Sequence, residues 1–413
     1  MKKFLAIAVV AVSSVFPCSA QEGLYYIGSE AQEPLPLQWS LGVNFTWDDN
    51  VTPTAIGIGA NESAFSVNPY VGLSFVNITP RSTLDVYARL GTIYYIDSPS
   101  ALGSDDLYPQ VRVGVNWTHR FTERLRFTSR NFIAYELEPD YAYGFATSRQ
   151  VDAYFFWGTD NAIGFRWTER LATYTGFGLT GLDYDSAVPN QDRLSYRLYH
   201  QFRYQLSPQS VLTFDYRYNV SEGSGFAGDS ASHYILLGIE HRFSPNTIVV
   251  AKAGAQMRES DAVGGSNATS PFVEVALRSN INEQFSIRSF IRYGIEDYDT
   301  TRVITGGLYD FDDRRTLRVG VRGNYEISPR LSVFVGVDYV PTEFDEGRRV
   351  AGAGPLRASG VSEDLLNLYA GFSVRFTDRI HGSLSYNYTD SDSDFVGQSY
   401  DRNRVNFGVH AQF

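Results

Sequence analysis

The chain has 413 residues, a formal net charge of −11, and 28 Tyr, 28 Phe and 36 Gly. The acidic balance argues against nucleic acid as a partner, and a single cysteine excludes a disulfide framework. Beyond the N-terminus no segment reaches the ~20 apolar residues that a membrane-spanning helix needs.

Lys2 and Lys3 precede an apolar run from Phe4 to Phe16, and small residues follow at Cys18-Ser19-Ala20. This pattern reads as a signal peptide over 1–20, cut after Ala20. Phe16-Pro17 lacks the small residues that lipoprotein processing prefers, so Cys18 is not read as a lipid anchor. The mature chain then has no cysteine, and Lys252 is its only lysine. Residues 21–36 show no periodicity and carry Pro34 and Pro36; they read as an extended lead-in. The first strand follows. Leu37, Trp39, Leu41, Val43, Phe45 and Trp47 are apolar, and Gln38, Ser40, Gly42, Asn44 and Thr46 lie between them. A period of two marks a strand with one apolar and one polar face.

A turn motif then recurs: an apolar residue, Ser or Thr (once Asn), then Pro, Glu or Asp. It stands at Ile78-Thr79-Pro80, Phe121-Thr122-Glu123, Trp167-Thr168-Glu169 and Leu206-Ser207-Pro208. It returns at Phe243-Ser244-Pro245, Ile281-Asn282-Glu283, Ile327-Ser328-Pro329 and Phe376-Thr377-Asp378. Successive copies are 37 to 49 residues apart, room for two strands and one long loop. The last strand repeats the strands that enter these turns. Phe413, Ala411, Val409, Phe407 and Val405 alternate with Gln412, His410, Gly408, Asn406 and Arg404.

Repeats of this period also fit a solenoid or a propeller. The signal peptide and the terminal Phe favour an antiparallel up-and-down transmembrane β-barrel over 37–413. Eight turns join sixteen strands, and one strand at each end makes eighteen; sixteen is the competing count. The alternation is weakest at Leu125 to Tyr135, where Ser129 and Asn131 fall on the lipid face, and at Leu171 to Thr180. Asp, Gly, Ser and Pro mark the long loops at Asp97 to Asp106, Ser221 to Ala231, Asp297 to Asp313 and Pro341 to Glu363. The last of these is read as a solvated loop, with folding over the mouth as the alternative.

No residue pattern points to catalysis, a cofactor or a metal. The six histidines sit singly on separate strands, without zinc spacing. Asp390, Asp392 and Asp394 alternate in what reads as a solvated acidic loop, and they lack the glycine and closing Glu of a calcium loop. His381 with Ser383 and Ser385 reads as coincidence in a serine-rich chain. Charge concentrates elsewhere. Alternation puts Arg278, Arg288, Arg292, Arg318 and Arg322 on the lumen face, with Glu274 and Asp338 at the edge of the strip. A symmetric hairpin would set Arg288 near Arg322 and Arg292 near Arg318.

The stretch from Leu37 to Phe413, with its ending Asn406-Phe407-Gly408-Val409-His410-Ala411-Gln412-Phe413, resembles the bacterial outer-membrane β-barrel porin families. The resemblance implies residence in the outer membrane among lipid and lipopolysaccharide, short periplasmic turns and long extracellular loops. It also implies that Phe413, Phe407, Val409 and Ala411 are read by the barrel assembly machinery. The expected activity is passive diffusion of small hydrophilic solutes. A role in exopolysaccharide export and a structural or adhesive role are the alternatives, and homo-oligomerisation is left open. General porins often carry Pro-Glu-Phe-Gly-Gly on the third loop. Here Glu138 to Gly144 departs from it, so no constriction residue is carried over.

Overall fold

A computed structural model describes residues 34–53, 62–97, 99, 107–137, 153–185, 192–223, 229–261, 267–296, 301–304, 306–311 and 313–413. The signal-peptide reading, the lead-in to residue 33 and the Glu138 to Gly144 segment lie outside these residues. No helix occurs among the described residues.

Strands appear in chain order as β1 (Leu35–Asp48), β2 (Ala64–Ile78), β3 (Ser82–Tyr95), β4 (Leu107–Arg120), β5 (Leu125–Glu136) and β6 (Tyr154–Arg166). They continue as β7 (Leu171–Tyr184), β8 (Arg193–Ser207), β9 (Ser210–Gly223), β10 (Ser230–Ser244), β11 (Thr247–Ser260), β12 (Ala268–Asn280) and β13 (Phe285–Glu296). Then come β14 (Thr301–Ile304), β15 (Gly307–Phe311), β16 (Arg314–Ser328), β17 (Leu331–Phe344), β18 (Gly347–Gly352) and β19 (Arg357–Ala358). The last three are β20 (Val361–Arg375), β21 (Ile380–Ser393) and β22 (Tyr400–Gln412).

Eighteen of these strands form one antiparallel sheet, and pairing of β1 with both β2 and β22 closes it. Closure leaves no open edge, so every strand can pair its backbone on both sides. The first strand starts at Leu35, two residues before its alternation becomes legible; Pro36 is tolerated near the start of a strand. The two weak stretches are both regular strands, β5 and β7.

The wall is apolar outside and polar inside. Leu37, Trp39, Leu41 and Trp47 point outward and are each about half exposed, whereas Asp48 on the other face is buried. All eight turn motifs lie on one rim, and in each the Ser, Thr or Asn side chain caps the turn. Thr122 Oγ1 accepts the N–H groups of Arg124 and Leu125 at 3.2 and 3.0 Å, and Asn282 Oδ1 those of Gln284 and Phe285 at 2.9 and 2.8 Å. The Ser-Pro copies close in two residues: Ser207 pairs with Ser210, Ser244 with Thr247 and Ser328 with Leu331. Proline holds φ near −65°, which bars the positive-φ turns that match strand twist. Each of these hairpins carries a register shift just before the turn, the local irregularity that absorbs the mismatch.

Inward glycines sit directly opposite inward aromatic residues. Gly42 pairs with Tyr70, Gly114 with Tyr87, and Gly336 with Tyr369. A Cβ built on Gly336 would stand 2.2 Å from the Tyr369 ring, so the ring occupies the space the glycine leaves. The aromatic side chain therefore lies along the wall rather than across the lumen.

On the opposite rim, β14, β15, β18 and β19 form a separate four-stranded sheet. Two expectations change here. The segment read as one loop from Pro341 to Glu363 is strand at both ends, and residues 345–360 carry β18 and β19. Asp390 and Asp392 belong to β21, and Asp394 accepts the Ser362 N–H at 2.8 Å. Besides its neighbour β19, β18 pairs with β15, about forty residues upstream, so the local sequence alone does not reveal the sheet. Tyr309, Phe311, Phe344, Val361 and Phe395 form a buried cluster beneath the small sheet. Phe344 and Val361 are inward-facing wall residues, so the sheet is anchored to the lumen side of this rim.

Candidate pore lining

The strip expected on the lumen face is contiguous. Across β12, β13 and β16, Arg278 faces Arg288 and Arg288 faces Arg322; Glu274 faces Arg292 and Arg292 faces Arg318. Asp338 lies on β17 opposite Gly320, one rung from both Arg318 and Arg322.

The strip divides by height. Toward the loop rim, guanidiniums are clamped by buried carboxylates. Arg318 donates from Nε and Nη2 to Glu296 at 2.7 and 2.9 Å, and Arg314 donates to the same carboxylate at 2.6 Å. Glu274 is fully buried and takes a two-pronged contact from Arg217 of β9, at 3.2 and 3.0 Å. Lys252 lies beside it and pairs with Asp215 at 2.5 Å. Toward the turn rim, carboxylates thin out. Arg322 lies 4.9 Å over the Phe334 ring and its Nε donates to Asn324 at 3.2 Å. Arg278 has no ion-pair partner among the described residues. Guanidiniums held on aromatic faces and amides keep their full charge at the lumen surface.

Arginines line the rest of the wall as well. Arg89 stacks 3.8 Å over Tyr70 and donates to Asn68 at 3.2 Å. Arg112 grips Glu136 at 2.8 and 2.9 Å, Arg197 meets Asp160 at 2.5 Å, and Arg203 meets Glu240. Beside the closing seam, Arg402 takes Asp48 through Nε at 3.0 Å and Nη2 at 2.5 Å. These residues follow the same alternation as the strip on β12 to β17, so the sequence carries the same signal for them. Glu296 was missed for another reason: it sits at a strand end, where no polar–apolar contrast flags it.

His381 and His410 stand on facing lumen positions with their rings stacked, 5.0 Å between centroids and 7° between planes. Ser383 and Ser385 share that face. His119, His200 and His241 face outward against Phe121, Phe202 and Phe243, the aromatic belt near the turn rim. Among the described residues no three His, Cys, Asp or Glu side chains are grouped to hold a metal ion. The proposed assembly residues occupy the closing strand. Phe407, Val409 and Ala411 pair with Phe45, Val43 and Leu41 of β1, and Phe413 donates its N–H to Trp39 at 2.8 Å.

No family model and no curated protein matches the chain. Among solved structures it is similar to Acinetobacter baumannii OccAB3 at 10% identity and a TM-score of 0.47, covering 91% of this chain and 99% of that one. It is similar to the Pseudomonas aeruginosa outer membrane protein opdK at 13% identity and 0.45, covering 91% and 99%. It is also similar to P. aeruginosa OccK2, solved with glucuronate, at 10% identity and 0.46, covering 92% and 98%.

Proposed function

We propose that the chain is an outer-membrane channel for passive diffusion of small hydrophilic solutes, with the turn rim in the periplasm and the loop rim outside. The observation that carries this reading is the wall itself: closed, apolar outside and lined inside by charge. A transmembrane wall of this kind requires alternation of lipid-facing and lumen-facing residues along every strand. A barrel of about eighteen strands is wide enough for an aqueous path unless it is plugged.

The channel favours anions. Arg278, Arg288 and Arg322 lie on the lumen face below the clamped layer, whereas the wall carboxylates Asp160, Asp215, Glu240, Glu274 and Glu296 are already paired with arginine or lysine. Screening at physiological salt acts over about 8 Å, so charges on the pore surface outweigh distant ones. Planar-bilayer recording tests both statements. The wild type gives ohmic channels with weak anion preference in a KCl gradient, and the Arg288→Ala/Arg322→Ala pair moves the reversal potential toward cations. Absence of channels would remove the diffusion reading; an unmoved reversal potential would leave these arginines as braces of the wall.

A further inference from the structure

The outward face of β5 and β6 breaks the apolar belt at its middle. These strands share six outward rungs. The third pairs Ser129 with Asn161 and the fourth pairs Asn131 with Thr159, while the rungs on either side are apolar. The four side chains form a closed hydrogen-bonded ring. Ser129 donates to Asn161 Oδ1 at 2.7 Å and Asn161 Nδ2 donates to Thr159 at 2.7 Å. Thr159 donates to Asn131 Oδ1 at 2.7 Å and Asn131 Nδ2 donates to Ser129 at 3.0 Å.

The ring is closed but not saturated. Each hydroxyl has spent its only hydrogen, whereas each carboxamide keeps one N–H and spare acceptor capacity on its oxygen. Asn131 is exposed. Hydrocarbon offers these groups no partner, so leaving them against lipid tails is costly. The ring also has a local two-fold axis, which exchanges Ser129 with Thr159 and Asn131 with Asn161. Its donors and acceptors are therefore balanced about its centre.

We propose that this face is the contact surface for a second copy of this chain. A copy related by a two-fold axis along the membrane normal brings an identical ring to the same depth, with each carboxamide on the same rung as a hydroxyl of the other copy, so its spare N–H has acceptor oxygens within the partner's ring. A lipid tail has no such groups, and an unrelated protein would need a matching island at the same height. Closed two-fold contacts of this kind are self-complementary by construction. The proposal rests on the membrane location given above and is independent of the solute.

The test uses the full-length protein in outer membranes. Ile133→Cys, on the rung beside the ring, and Leu237→Cys, an exposed outward site on distant β10, are oxidised in parallel. Ile133→Cys is expected to give a covalent product of twice the monomer mass, and Leu237→Cys none. In mild detergent the wild type sediments as a dimer, and the Ser129→Ala/Asn131→Leu/Thr159→Val/Asn161→Leu variant as a monomer. Should that variant fail to insert, Asn131→Leu in the Ile133→Cys background serves, with loss of the cross-link expected. Equal yields at the two cysteine sites, a monomeric wild type, a product containing a different protein, or a ring variant that stays dimeric would each overturn the proposal. Failure of the membrane location itself is told apart because the protein then leaves the membrane fraction.

Discussion

At the scale of single residues, the Asp48–Arg402 pair shows how a lumen arginine braces the wall. Both side chains are nearly inaccessible, and the three contacts run across the seam region where β1 meets β22. Removing one partner of a buried pair strands the other charge and costs roughly 3–5 kcal/mol, whereas replacing both with apolar residues is often neutral. Asp48→Asn should therefore lower the urea midpoint of the inserted barrel markedly, and Asp48→Leu/Arg402→Met should recover most of the loss. Equal stability of Asp48→Asn and the wild type would show that the clamp contributes nothing. The facing of Arg288 with Arg322 could be counted from the sequence because that hairpin is symmetric about its loop. The Arg217–Glu274 contact could not, because it reaches over two intervening strands and depends on side-chain length rather than register.

At the scale of elements, the turns were the most legible part, since each cap is a local contact within three residues. The use of the inward glycines was not legible, because it depends on which residue stands opposite on the neighbouring strand. Gly336→Ala tests that use. The new methyl meets the Tyr369 ring, so the ring must lift into the lumen, at a cost of about 1–3 kcal/mol for overpacking. Single-channel conductance should fall, and Gly336→Ala/Tyr369→Ala should restore it. A conductance unchanged in Gly336→Ala would mean that the ring has room elsewhere along the wall. The four-stranded sheet on the loop rim was illegible for a stronger reason: its partners come from separate loops. Replacing residues 347–358 with a short Gly-Ser link should raise conductance, because the sheet is anchored through Phe344 on the lumen side. No change would place it beside the opening rather than above it.

At the scale of the whole molecule, closure depends on the two ends of the barrel. Phe413 is 60% exposed, so its truncation removes little packing energy compared with the 3–5 kcal/mol typical of a buried aromatic. Phe413→Ala should nevertheless lower the amount of inserted barrel severalfold, measured as heat-modifiable band intensity, while material that does insert unfolds at nearly the wild-type urea concentration. A parallel fall in both measurements would assign Phe413 a packing role instead.

The ends also meet. Trp39 and Phe413 exchange backbone hydrogen bonds, 3.1 Å in one direction and 2.8 Å in the other. Nothing in the wall then fixes where the polypeptide must begin. A circular permutant could join residue 413 to residue 37 through a two-residue turn and open at Thr377 to Arg379, leaving Phe376 as its last residue. The sheet would be unchanged, but a different strand would be synthesised last. Phe376 holds the same place relative to its turn that Phe413 holds at the terminus, so this rearranged chain should insert. A sibling permutant ending on a polar residue should not, although its finished wall would be identical.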